Sequence, residues 1–382
     1  MQNPFTTTHA SHLAPPPAQV KAAHRNLRRV LVENDRAVRR ICEGLLGRVA
    51  AGETLPDAAV WLLDNFSFIH GQAGEVKEAL SRGYYRDLMR AGKGTDPDVP
   101  RIYSVLRDEF VPSTQRIDAE TIRSFFTVYQ WRVPLALAEA WAIRPLLKLV
   151  LLEQLYRSAI EGDLDTETAE NGIRRAVVAL RGLENISWRD LIEEISLVNE
   201  VLRNDPAGAY SAMEFESRDM YRQAVERIAR HNNPARELRV AQGAVECARE
   251  APAGDRESHI GYYLLGSGIG ELRRRTRTHP GFFEWMRETV RHSPNFFYLG
   301  GIALLTVALI YAIRAIFAPV PWWCCLLMAI PASQAAVSAI NLLVSRLLPP
   351  QRLPRMDFSQ GVPERFRTFV VMPTLLLSAA GI

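Results

Sequence analysis

The sequence predicts an all-α protein: a multi-helix cytoplasmic domain, then a two-helix transmembrane hairpin, then the first strand of a truncated α/β domain. Three observations carry this expectation. From about Val20 apolar residues recur at three- and four-residue steps, punctuated by caps and Gly or Pro stops, and no strand pattern appears before Thr368. Two long uncharged runs flank Pro319-Val320-Pro321. A short apolar run, Thr368 to Met372, lies between charged residues and Pro373, as a buried strand of a parallel sheet would. The boundaries follow: 1–19 a disordered N-terminus, 20–295 the helical cytoplasmic domain, 296–345 the transmembrane hairpin, and 346–382 a linker with the first strand of the truncated domain.

Residues 1–19 have no apolar stretch that could serve as a signal peptide, and Thr6-Thr7-Thr8 and Pro15-Pro16-Pro17 predict disorder. Val20 to Val49 carries Leu27, Val30, Leu31, Val38, Ile41, Leu45 and Leu46 on an amphipathic helix that Gly52 ends. Pro56 opens the next helical stretch, with Val60, Leu62, Leu63, Phe66 and Ile69 apolar, running to about Met89. Ala91 to Pro100 is a Gly-, Asp- and Pro-rich loop, and a short helix follows from Arg101 to Phe110. Ile117 to Trp131 opens with Asp118 as a cap and Glu120 in the first turn. Pro134 starts a long apolar helix to about Ile160.

Asp163-Leu164-Asp165 has the spacing with which nucleotide-sugar transferases hold a metal. No strand precedes it and helix formers follow, so Asp165 is expected to cap a helix instead. Asp96-Pro97-Asp98 has the same spacing within a turn. Further helices are expected over Trp188 to Leu202, Ser217 to His231, Pro234 to Arg249, Gly270 to Arg275 and Phe282 to Val290. Gly266-Ser267-Gly268-Ile269-Gly270 lacks the spacing of a phosphate-binding loop and reads as a turn.

The run from Asn295 to Ile313 is uncharged and about long enough to cross a hydrocarbon core, which takes roughly 20 apolar residues. Arg314 interrupts it where a long side chain can snorkel. Trp322-Trp323 supplies an interfacial aromatic pair, and the second run, Trp322 to Ser345, carries Pro331, which predicts a kink. Arg273, Arg274, Arg275, Arg277, Arg287 and Arg291 precede the first run; Arg346, Arg352, Arg355, Arg365 and Arg367 follow the second; the turn between has no Lys or Arg. The positive-inside rule then places both termini in the cytoplasm. A helical hairpin buried in a soluble core is the alternative, and the length of the runs and their basic flanks fit it less well.

Net charge is only +4, with the basic residues concentrated beside the hairpin, so membrane lipid is the expected partner and nucleic acid is not. The four cysteines form no zinc-ligand spacing, the eight histidines show no paired spacing, and no metal site is expected.

In motif content the chain resembles the N-terminal region of bacterial cyclic β-1,2-glucan synthases. The residues that carry this are Trp61-Leu-Leu-Asp-Asn-Phe66, Ser81-Arg-Gly-Tyr-Tyr-Arg86, Pro100-Arg-Ile-Tyr103, Ser187-Trp188, Asp205-Pro-Ala-Gly208, Met213-Glu-Phe215, Arg218-Asp-Met-Tyr-Arg222, His259-Ile-Gly-Tyr-Tyr263 and Leu353-Pro-Arg-Met-Asp-Phe-Ser359, leading to Val371-Met-Pro-Thr-Leu375. The chain departs at Ser81 and Met89, where that family tends to have proline. The resemblance implies a membrane glycosyltransferase that makes cyclic β-1,2-glucan, with UDP-glucose as substrate and a divalent cation, its transferase domain beginning near Arg367. The chain is expected to stop before the catalytic carboxylates of that domain. It therefore carries over no catalytic residue and no cofactor, and its partner is the remainder of the parent synthase. Tyr84-Tyr85 and Tyr262-Tyr263 are the candidates for stacking on sugar rings, set against a plain role in helix packing. A free-standing membrane-anchored helical interaction protein without catalysis is the alternative of a different class.

Overall fold

A computed structural model describes residues 17–81, 88–90, 99–230, 233–316, 321–347 and 353–368, and every regular element among them is helical. The helices form two compact units, one running through Thr276 and taking up the chain again at Met356, the other spanning Arg277 to Arg355.

In the first unit α1 (Pro17–Ala50) and α2 (Asp57–Ser81) pack as a pair. Helix α1 begins at Pro17, inside the stretch 1–19. Gly52, at φ +81°, ends it in the left-handed conformation that glycine adopts without strain. Next come α3 (Arg101–Val105), a widened π turn at Leu106–Phe110, α4 (Val111–Ser113), α5 (Ala119–Gln130) and α6 (Leu137–Ile160). Asp118 caps α5 by accepting from the Thr121 amide at 3.0 Å. The α6 side chains Leu146, Leu147, Leu149, Val150, Leu152 and Leu155 are buried on all sides, as befits a helix that α1, α2, α3, α7 and α8 surround.

Helices α7 (Glu167–Glu184), α8 (Trp188–Ile195) and α9 (Leu197–Leu202) follow. The cap of α7 is Thr166, one residue beyond the expected Asp165. Asp163 Oδ1 accepts the Asp165 amide at 3.1 Å in a tight turn, and this leaves the Thr166 hydroxyl to receive the Ala169 amide. The continuous helix expected over Trp188 to Leu202 is interrupted at Ser196. That residue is extended, its hydroxyl accepts the Asn199 amide at 3.2 Å, and the Asn199 side chain donates to the freed Glu193 carbonyl at 2.9 Å.

A second core is built from α9, α10 (Phe215–Ala229), α11 (Pro234–Glu250), α12 (Ile260–Leu264) and α13 (Ile269–Thr276) around Leu202, Tyr221, Val225, Val240, Ala244, Tyr263 and Leu272. Gly243 lets α13 approach closely, since a Cβ there would lie 2.8 Å from Thr276 Cγ2.

The second unit holds α14 (Phe282–His292), α15 (Pro294–Ile316) and α16 (Trp322–Leu347). Two of its helical segments, Pro294–Ile316 and Trp323–Arg346, are long and apolar enough to cross a membrane, with mean hydropathy of 2.2 and 1.6. None of the first and only 11% of the second is covered by the protein, unlike helices sunk in a soluble core. Where α15 and α16 meet, small residues allow close contact: Ala332 and Ala336 are buried, a Cβ on Gly301 would lie 3.3 Å from Ile340 Cδ1, and Tyr298 donates to Asn341 at 2.9 Å. Helix α16 runs unbroken through Pro331.

Beyond the hairpin Met356 pairs antiparallel with Met213, and the Asp357 amide donates to the Ala212 carbonyl at 2.8 Å. The strand expected at Thr368 to Met372 lies, from residue 369 on, outside the described residues, and Thr368 itself is in irregular structure.

Candidate functional site

Several of the motifs quoted above meet in the second core. Asp205 ends the turn after α9, where Gly208 takes a left-handed φ of +65°. Its buried carboxylate accepts the amides of Tyr210 at 3.1 Å and Ile260 at 3.2 Å, and receives His259 Nδ1 at 3.0 Å. The other ring nitrogen of His259 lies 2.8 Å from the Tyr221 hydroxyl. A proton on Nδ1 satisfies both contacts: Nδ1–H donates to Asp205 and Tyr221 donates to Nε2. Burial works against the Asp205 charge, but His259 and the two amides outweigh it and hold the carboxyl below its ordinary range.

A second cluster adjoins this one. Arg218, on α10, makes a bidentate pair with Glu193 of α8, both contacts 2.9 Å, and also donates to the Met213 carbonyl. Arg222, one turn on, reaches the same carboxylate at 2.5 Å and Asn199 Oδ1 at 3.3 Å, pairs with Asp219, and lies over the Phe215 ring at 5.0 Å. Burial opposes the Glu193 charge, and the two guanidiniums override it, so this carboxyl too is held low. Tyr210 closes the circuit. Its hydroxyl donates to Asn199 at 2.7 Å and its ring meets Tyr221 edge-on at 5.7 Å. Burial pushes the Tyr210 phenol up to about 12. The chain returning from the hairpin joins here, because Met356 and Asp357 bond beside Met213 and the Arg218 charge is among the influences that hold the Asp357 carboxyl low, after its bonds to Ser359.

The Asp205–His259–Tyr221 relay has the order of an acid–base chain, yet Tyr221, Tyr210 and Arg222 are at most 2% exposed. A group that must touch a substrate cannot act from that depth. The arrangement instead fastens α8, α9, α10, α12 and the post-hairpin segment to one another. Other motifs act alike in the first core, while most of residues 81–86 and all of 371–375 lie outside the described residues. Arg101 pairs with buried Glu139 at 2.5 Å, Tyr103 donates to Glu153 at 2.6 Å, Asn65 receives Arg181 at 2.9 Å, and Trp188 donates to the Leu183 carbonyl at 3.0 Å.

Of the sugar-stacking candidates, Tyr84 and Tyr85 lie outside the described residues. Tyr263 is buried, with its hydroxyl 3.3 Å from the Cys247 carbonyl and its ring edge-on to Tyr262 at 5.1 Å. Tyr262 is half-buried against Gly268, where a Cβ would lie 2.5 Å from ring atom Cδ1. Among the described residues no three His, Cys, Asp or Glu side chains are placed to hold a metal ion. Asp163 and Asp165 form a turn rather than a ligand pair, so the divalent cation implied by the resemblance does not fit the residues described.

Sequence reasoning missed Glu237. It is fully buried on α11, where one oxygen accepts the Leu137 amide at the start of α6 at 2.8 Å and the other has no partner. Burial, reinforced by Glu226 and Glu139, pushes its carboxyl up to about 7.

The fold and its wiring define a helical unit joined to a pair of membrane-length helices. No family model matches the chain. It is similar to the cyclic β-(1,2)-glucan synthase NdvB of Rhizobium meliloti (strain 1021), 25% identical over 455 aligned residues that cover 94% of this chain. The chain spans only 16% of the length of that relative. The likeness first read from the motifs thus extends over nearly the whole chain and marks it as related to a glucan synthase.

Proposed function

We propose that this chain is the membrane-anchoring and organising part of a glycosyltransferase that makes cyclic β-1,2-glucan from UDP-glucose, and that it transfers no glucose by itself. The carrying observation is the junction at Met213 and Met356. The chain leaves the helical unit, runs through two membrane-length helices, and comes back to bond beside Arg218. Two crossings would return it to the side it left, and the arginines at both ends support the cytoplasmic face of a bacterial inner membrane as that side. The helical unit thereby holds the segment that leads on toward the rest of the synthase, its principal partner besides membrane lipid; nucleic acid is no part of this reading. Transfer of a glucosyl group needs a cation on the leaving diphosphate and a carboxylate on the acceptor hydroxyl. Of the two acid pairs spaced for the first task, Asp163 and Asp165 are folded into a turn, and Asp96 and Asp98 lie outside the described residues.

Incubated with membranes and UDP-glucose labelled in the sugar, the purified chain should incorporate nothing. Incorporation that Asp163→Ala or Asp165→Ala abolishes would overturn the reading and place transferase chemistry in the helical unit. Reporter fusions at Gln19 and Gln360 should both read cytoplasmic, and one at Val320 periplasmic.

A further inference from the structure

Helix α14 stands immediately before the first membrane-length helix, with Ser293 alone between them. At about 100° per residue, Phe282, Trp285, Met286 and Thr289 fall on one stripe, and Glu284 and Glu288 fall opposite. The stripe is open: Phe282 is 69% exposed, Trp285 54% and Met286 37%. The single polar group on it is already satisfied, because the Thr289 hydroxyl donates to the Trp285 carbonyl of its own helix at 2.8 Å. At the other end the Gly281 amide reaches Glu284, 3.4 Å away, across the first turn, which caps the helix locally.

We propose that α14 is an interfacial helix. It lies in the headgroup region of the bilayer that α15 and α16 cross, with Trp285 and Met286 immersed beside Phe282 and with Glu284 and Glu288 toward water. The occupant of the apolar stripe is lipid, because a one-residue link fixes α14 at the depth where the span meets water. A tryptophan beside other large apolar side chains on one face is what that boundary selects. This rests on the reading of α15 and α16 as membrane spans.

The test uses the full chain in vesicles of phosphatidylcholine with a minority of phosphatidylglycerol. A genetically encoded dansyl amino acid replaces Trp285, Met286, Glu288 or Val307 in turn, and nitroxide lipids labelled at the headgroup or deep in the acyl chain act as quenchers. Val307, 65% exposed on α15, reports on the span. Probes at 285 and 286 should shift to the blue and lose most of their emission to the headgroup nitroxide. The probe at 288 should stay red and unquenched, and that at 307 should respond to the deep nitroxide. Probes at 285 and 286 no better quenched than 288, with 307 still lipid-exposed, would overturn the interfacial helix alone. A water-exposed probe at 307 would overturn the spans and the inference with them. Two stripe positions guard against one substitution that disturbs folding.

Discussion

The two cores of the helical unit solve one packing problem with different chemistry. In the first, α6 is mostly apolar, and its buried ions, Glu139 and Lys148, pair with partners nearer the surface. Lys148 is buried, but it pairs at 2.6 Å with Glu75 and Glu184, whose side chains are 55% and 37% exposed. In the second, the ions are inside. Glu193 and Arg222 are 6% and 1% exposed, and Asp205, His259, Tyr221, Tyr210 and Asn199 extend the network between helices. Apolar packing asks mainly for volume, so related side chains substitute for one another. A buried network asks for identity, because each donor needs its acceptor.

The sharpest way to break the comparison is a near-isosteric swap on each side. Glu193→Gln removes the charge that Arg218 and Arg222 share and should cost about 3–5 kcal/mol, as loss of one partner of a buried ion pair does. Leu149→Met, fully buried in the first core, should cost less than about 1.5 kcal/mol. Denaturant midpoints of the full chain in detergent measure both, and equal losses would erase the distinction.

Next in size is a pH effect at Glu237. Its folded value of about 7 lies above its ordinary 4.5, so its contribution is intact below about pH 4.5 and is lost as pH rises through 7. The loss amounts to at most about 3 kcal/mol. Glu237→Gln should flatten the stability profile across that window, and a variant with the wild-type slope would count against the assignment.

Smaller still is Gly261→Ala. The new Cβ would lie 2.7 Å from His259 Nε2 and against the Tyr221 hydroxyl, wedging the pair apart at a cost of about 1–3 kcal/mol. The histidine ring signals in NMR should shift, whereas a structure that absorbed the methyl would leave them in place. The mildest change is Asp357→Pro, which deletes the amide that bonds to Ala212. Hydrogen exchange over 353–358 should speed up while the melting temperature holds, and loss of both would make the post-hairpin segment part of the core.

Much of the fold was legible because helices announce themselves locally. The Asp118 cap, the stop at Gly52 and both membrane-length runs depend on residues within a few positions of one another. The site was less legible because its partners are remote: His259 meets Asp205 from 54 residues away and Arg222 meets Glu193 from 29. Periodicity assigns a charged residue on a helix to solvent, which is wrong for Glu139, Lys148, Arg222 and Glu237. One local signal did exist. Arg218 and Arg222 stand one turn apart on the same face, where like charges repel, so an acid between them was implied. The interruption at Ser196 was hidden because Leu197 and Val198 continue the apolar pattern across it.

The bridge between Met213 and Met356 also closes a loop, and loops obey their own statistics. The free energy of closure grows only with the logarithm of length, roughly 0.6 kcal/mol for each doubling. The hairpin is in that sense a guest inserted between two secured chain ends. Lengthening the linkers beside it should barely loosen the bridge or the host's hydrogen bond at Ala212. A fold built this way can exchange or extend what it carries in the membrane without renegotiating its own interior.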